Sequence, residues 1–272
     1  MSSQAVEKAV ILARGLGTRM RRQDQSAVLS SDQAAIADQG LKAMIPIGRP
    51  FLDYVLAGVA DAGYRRVCLV IGPEHQQMRE YYGKLRPRRL AVSFAVQQEP
   101  KGTADAVAAA EQFAGQDTVL IINGDNYYPV EALRMLRLEC PGSGLIGFGR
   151  QGLLAGNIPE ERIAKFSLVQ TDGAGRMVRI VEKPTPQQIE ALGRTARISM
   201  NCWRFAPTIF PACRAIRPSV RGELELPDAV QWAIAHGETF TMLPCDEPVL
   251  DLSSRGDIAA IEERLGGMKV DL

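Results

Sequence analysis

Leu12-Ala13-Arg14-Gly15-Leu16-Gly17-Thr18-Arg19 joins two things a phosphate needs. Glycines let backbone N–H groups approach an anion closely, and an arginine supplies a fixed cationic fork for its oxygens. The loop follows Lys8 to Ala13, a short apolar run that reads as a buried strand. It is not a dinucleotide fingerprint, because Met20 stands where GxGxxG has its third glycine, and it lacks the Gly-Lys-Ser/Thr of a Walker loop. Taken alone, it also fits an ordinary Gly-rich turn. Farther on, Gly124-Asp125-Asn126 follows the apolar run Thr118 to Ile122. That puts Asp125 at the carboxyl end of a strand, where open α/β sheets bind ligands. A turn-forming Asp is the plainer alternative there.

The elements that must position these groups alternate. Phe51 to Ala62 reads as an amphipathic helix, Arg66 to Ile71 as a strand, and Glu74 to Tyr82 as a helix. Leu90 to Val96 alternates like a third strand, and Thr103 to Phe113 is Ala-rich and helical. In the second half Leu145 to Arg150, Ala164 to Gln170 and Met177 to Glu182 read as strands, with a turn at Asp172-Gly173. Helices follow at Pro207 to Arg214, Pro227 to His236 and Asp257 to Leu265. This order predicts a mixed, largely parallel sheet with helices on both faces. Met20 to Gly40, rich in Gln, Ser and Asp, is too long for an ordinary connection and is expected to be a flap or a mobile insertion.

Composition narrows the classes. The 272 residues are 46% hydrophobic, enough for one large α/β domain or two small ones. A formal net charge of +1 gives no long-range pull toward nucleic acid or an anionic membrane. The five scattered cysteines form no CxxC pair, so neither a zinc site nor a disulfide framework is suggested. With no apolar run of spanning length and no leader-like N-terminus, a soluble, cytoplasmic protein is expected. His75 reads as a surface residue, His236 as a helix cap, and Trp203 and Trp232 as core.

The loop resembles the LAxGxGTR signature of sugar-1-phosphate nucleotidyltransferases. The resemblance continues through Lys42-Ala43-Met44-Ile45-Pro46-Ile47 and the stretch Gln97-Gln98-Glu99-Pro100-Lys101-Gly102-Thr103-Ala104. Gly124-Asp125-Asn126, Glu182-Lys183-Pro184 and Gly222-Glu223-Leu224-Glu225-Leu226-Pro227-Asp228 are similar to later family elements, and Val249-Leu250-Asp251 to a last one. The order is the family's and nearly the whole chain is covered. The resemblance implies a single Rossmann-like, three-layer α/β/α domain over residues 1–272, its N-terminal part binding an NTP and its C-terminal part a phosphorylated small-molecule acceptor. It implies transfer of NMP to that acceptor with release of pyrophosphate, as in nucleotide-sugar biosynthesis, with no nucleic-acid or membrane partner; homo-oligomerisation is left open.

Roles follow from the same resemblance. Leu12, Ala13, Gly15, Gly17, Thr18, Arg19, Gln97, Gly102 and Thr103 would bind the nucleotide, with the Gln97 amide on a base edge and Gly102 giving the base room. Arg19 and Lys42 would grip the triphosphate and Lys183 the acceptor phosphate. Glu182, Ser167 and Asn201 would line the acceptor site. Asp125 with Asp228 would hold Mg²⁺, a hard ion suited to carboxylate and phosphate oxygens, with Asp251 the reserve carboxylate. Asp228 also fits a helix N-terminal acid.

The chain departs from the family at Arg14, where Ala or Gly is usual, and in its long 20–41 segment. It departs again at Ser167 and Asn201, where glycine is usual, and at Ser199, where Asn is common. Three of these lie on the acceptor side, so an acceptor other than glucose-1-phosphate is expected. Because the chain stops soon after the 257–265 helix, no appended domain is expected. Two other readings compete: a non-catalytic nucleotide-binding regulatory paralogue, with Arg14 as the obstruction, and a dehydrogenase-type cofactor domain. The second lacks the third glycine and an acidic residue ending its second strand.

Overall fold

Lys8–Leu12 forms β1 in the computed structural model, which describes residues 5–193 and 196–272. β2 (Arg66–Ile71) pairs with one edge of β1 and carries β3 (Ala91–Val96) beyond it, while β4 (Val119–Asn123) pairs with the other edge. All these pairings are parallel. Side chains alternate across the sheet: Ala9 and Ile11 enter one core and Val10 the other. Helices Phe51–Asp61, Val130–Leu138 and Asp257–Leu265 cover the first face. Thr103–Ala108, Ile209–Ala215 and Leu226–Ala235 cover the second, which completes three layers.

The second half adds β5 (Ser143–Phe148), β6 (Ser167–Thr171), β7 (Met177–Val181), β8 (Arg197–Phe205) and β9 (Phe240–Cys245) to the same nine-stranded sheet. β8 runs antiparallel to every strand it touches and changes partner along its length. Arg197 to Ser199 pair with β6, whereas Trp203 to Phe205 pair with β4. Between Ser199 and Trp203 the register against β5 shifts, and Asn201 takes a left-handed backbone, φ 54°. The divergence of β4 from β6 at this bend leaves an opening floored by Ser199, Met200 and Asn201. Here lies the topological switch of the sheet.

Three expectations change. The 103–113 helix breaks into Thr103–Ala108 and Glu111–Ala114. The strand expected from Leu145 to Arg150 ends at Phe148, and Arg150 starts a short helix. The 20–41 segment is not a free loop, because it contains a helix, Ser31–Gln39, closed at its start by a reciprocal Ser30–Gln33 capping box. Arg255 clamps it to the body through Asp38 and the Met20 carbonyl (2.9 Å), and Gln33 reaches the Pro46 carbonyl at 3.0 Å. All five cysteines are free and buried. Among the described residues no helix is long and apolar enough to cross a membrane.

Candidate active site

Two cavities meet at the carboxyl end of β1 and β4. The larger, about 470 Å³, is lined by Leu12, Ala13, Gly15, Gly17, Thr18 and Arg19 from the loop after β1, by Gln97, Gly102 and Thr103, and by Lys42 and Asp125. Its size is that of an ordinary small-molecule cleft. The glycine at 17 is required: its φ is 60°, and a Cβ there would lie 2.2 Å from the Gly40 carbonyl oxygen. Thus the loop closes against the end of the Ser31–Gln39 helix, and Gly40 and Leu41 become part of the wall. Gly102 meets a similar constraint, since its Cβ would lie 2.4 Å from the Leu224 carbonyl oxygen. The Thr103 hydroxyl accepts from the Leu226 N–H at 2.9 Å, tying this helix start to the first residue of Leu226–Ala235.

The smaller cavity, about 160 Å³, is lined by Ser167, Glu182, Ser199 and Asn201, with Lys165 and Asp251. Ser167 donates to the Glu182 carboxylate, and Asn201 Oδ1 accepts from Trp203 Nε1 at 3.3 Å. Lys183, expected to hold the acceptor phosphate, is exposed and lines neither cavity; its backbone is left-handed, with φ 44°. Lys165 was missed in the sequence, and it is the lysine that lines this space. Arg19, Asn123, Asp125, Asn201 and Ser253 belong to both cavities.

Charge is concentrated at the junction. Lys42 Nζ is ion-paired with Asp125. Asp251 is 5% exposed and accepts from Asn126 Nδ2 (3.0 Å), Ser253 Oγ (2.9 Å) and Arg162 Nη1 (3.0 Å). Burial, followed by the neighbouring charge of Asp125, pushes its carboxyl above the ordinary value despite Arg162. Asp228, by contrast, lies exposed in the first turn of Leu226–Ala235 and lines neither cavity. The carboxylate beside Asp125 is therefore Asp251, brought there by a two-residue ribbon in which Asp251 faces Asn126. Among the described residues there is no cluster of three or more His, Cys, Asp or Glu side chains able to hold a metal. Asp125 and Asp251 would offer Mg²⁺ two hard oxygen donors, the kind of ligand it takes beside substrate phosphates.

His75 is not a surface residue: it is buried, lines the large cleft and accepts from the Gly72 N–H through Nδ1 at 3.4 Å. Burial holds its imidazole below the ordinary value, against the pull of Glu74. Trp203 is fully buried, and His236 caps its helix while stacking on Trp232 at 3.6 Å.

A Gly-rich loop at the end of a parallel strand, opening onto paired carboxylates at a sheet switch, defines a nucleotide-handling α/β protein. The chain belongs to the nucleotidyl transferase family, whose sequence profile matches residues 8–247. It is 30% identical over 235 residues to a glucose-1-phosphate thymidylyltransferase of Streptomyces griseus, covering 85% of this chain and 58% of that protein. It is 26% identical over 261 residues to a UTP–glucose-1-phosphate uridylyltransferase of Haloferax volcanii, covering 95% and 96% of the two chains. Its fold matches that of a UDP-glucose pyrophosphorylase solved with UDP-glucose, with a TM-score of 0.72 at 18% identity over 95% of this chain and 98% of that one.

Proposed function

We propose that this chain transfers a nucleotidyl group from an NTP to the phosphate of a sugar-1-phosphate or related phosphorylated small molecule, releasing pyrophosphate. One observation carries the reading: a nucleotide-sized cleft and a smaller polar cavity share Arg19 and Asp125. Transfer needs two anions brought together at one phosphorus, with cations to offset their repulsion. The large cleft would take the NTP and the small cavity the acceptor.

In this reaction an acceptor phosphate oxygen bonds to the α-phosphorus. The bond from that phosphorus to the oxygen bridging to the β-phosphate breaks, and pyrophosphate departs with the electron pair. Arg19, on the shared wall, offsets charge on the oxygens of both substrates. Lys42, held on Asp125, meets the triphosphate. Lys165 faces the acceptor's phosphate from the small cavity, whereas Lys183 would take part only if the chain after β7 moved over the bound acceptor. Asp125 and Asp251 would hold Mg²⁺, which when bound draws charge from phosphate oxygens and orients them.

The relatives' names do not choose the base, since one is a thymidylyl and the other a uridylyl enzyme. The test is a matrix of five NTPs against a panel of sugar-1-phosphates, cyclitol phosphates and amino-alcohol phosphates, read by pyrophosphate release. Turnover that requires both an NTP and one acceptor is the expected result. Binding of NTP without release under any pairing would favour the non-catalytic paralogue instead.

A further inference from the structure

Arg14 stands where the family usually has Ala or Gly, and its environment is unusual too. Its side chain is 7% exposed and lines the large cleft. Nη2 donates to the Gln98 carbonyl at 3.3 Å and lies 3.5 Å from Glu74 Oε1. Nε and Nη1 are buried and have no hydrogen-bond partner among the described residues. Orphaned donors of this kind cost free energy in the free protein, and a ligand that supplies acceptors relieves that cost.

Gln97, next in the chain to the residue that holds Arg14, shows the opposite bias. Its Nε2 is spent on two acceptors, the Gly102 carbonyl at 3.0 Å and Asp105 Oδ2 at 2.8 Å. Both partners accept only, so the amide orientation is fixed by them. What Gln97 keeps for a ligand in the cleft is Oε1, an acceptor. The paired donor and acceptor with which a free amide binds adenine is therefore gone.

The cleft wall thus offers cationic donors from Arg14 and a lone acceptor from Gln97. We infer that Arg14 and Gln97 together select nucleobases that carry a carbonyl beside a ring N–H: uracil, thymine or guanine. The carbonyl oxygen has two lone pairs for the orphaned Arg14 donors, and the adjacent N–H matches Gln97 Oε1. Adenine has no carbonyl. Cytosine has one, but the ring nitrogen beside it is an acceptor and would meet Gln97 lone pair to lone pair. A site built to bond such groups discriminates because a mismatched base leaves them unpaired.

The inference rests on the proposed function only in assigning the NTP to the large cleft, so the experiment reads binding without an acceptor. Affinities of UTP, dTTP, GTP, ATP and CTP are measured by calorimetry for the wild type, Arg14→Met and Arg14→Lys. At least one of UTP, dTTP and GTP is expected to bind roughly tenfold or more tighter than both ATP and CTP. Arg14→Met, similar in volume but without donors, should erase most of that gap. Arg14→Lys, which keeps the charge but not the fork, should restore little of it. Wild-type preference for ATP or CTP overturns the inference and needs no variant. So does an unchanged preference in Arg14→Met, which would leave Arg14 only a partner of Glu74. Uniform weakening of all five, rescued by Arg14→Lys, overturns it in favour of a phosphate contact. Absence of any NTP binding defeats the proposed function and this inference with it. Base preference that depends on Arg14, in a protein that releases no pyrophosphate, supports the inference and defeats only the proposed function.

Discussion

Lys42 and Asp125, 83 positions apart in sequence, are ion-paired at the seam between the two cavities. Asp125 is delivered by the end of β4 and Lys42 by the chain leaving the Ser31–Gln39 helix, so the pair ties the 20–41 segment to the sheet. Asp125→Asn keeps the shape but removes the charge that Lys42 and a divalent cation would share. Turnover should fall by about a thousandfold or more, roughly 4 kcal/mol of transition-state stabilisation. Steady-state rates at saturating Mg²⁺ check this, and activity within about tenfold of wild type would remove Asp125 from the mechanism.

The identity of the second carboxylate gives a sharper comparison. Asp251→Asn should abolish most turnover, while Asp228→Asn, on an exposed helix start, should leave it within a few-fold. Stability should move the other way. Asp251 has its folded-state pKa raised above the ordinary 3.8 by burial and by Asp125, so the folded state holds that proton more tightly than the unfolded one. Its ionisation therefore costs stability as pH rises through the interval above 3.8, and the cost persists at neutral pH. In the presence of a chelator, Asp251→Asn should melt no lower than wild type at pH 7, and its relative advantage should shrink toward pH 4. Thermal melts across that range decide it; a variant that melts much lower at pH 7 would mean the Arg162 pairing outweighs the burial.

The phosphate grips should separate by substrate. Arg19→Ala lies on both cavity walls and should raise KM for NTP and acceptor alike. Lys165→Ala should raise KM for the acceptor alone. Lys183→Ala is the direct comparison, because its side chain lies outside the cavity yet sits beside Glu182 in a left-handed conformation. If acceptor kinetics respond to Lys183 and not to Lys165, the chain after β7 must close over the bound acceptor.

Much of this site was legible because its signals are local. The Gly loop, Gln97 and the Asp125 turn each sit beside a strand whose apolar run is plain in sequence, Lys42 stood out by its motif, and all line one cleft. Asp228 misled because a Pro-Asp helix start and a metal carboxylate look alike without the third dimension. Asp251 owes its place to a ribbon of two residues, too short to leave a pattern. β8 was missed as a strand because Ser199 to Cys202 carries a bulge and a left-handed Asn, which break the alternation. His75 lies three residues after Gly72, and the turn between them folds its ring back onto the Gly72 N–H. Lys165 had no motif at all.

The acceptor cavity supplies the last prediction. Ser167 and Asn201 stand where glycine is usual, and both line the 160 Å³ space. Ser167 adds a hydroxyl already committed to Glu182, which fixes that carboxylate in the wall. Asn201 adds a side chain at φ 54°, a backbone that glycine adopts more easily, so the asparagine is kept despite a conformational cost. Its Oδ1 is occupied by Trp203, which leaves the Nδ2 donor for a ligand. Both changes narrow the space and fix its polarity, so glucose-1-phosphate should be a poor acceptor beside a differently substituted phosphate monoester. Asn201→Gly relaxes the backbone but leaves the buried Trp203 Nε1 without its acceptor, so Tm should not rise, while Ser167→Gly with Asn201→Gly should increase the relative use of glucose-1-phosphate about tenfold. Competition between acceptors in one reaction, resolved by product mass, measures that ratio. A wild-type kcat/KM for glucose-1-phosphate of ~10⁴ M⁻¹s⁻¹ or above, within the common enzyme range, would mean that these side chains pack rather than select.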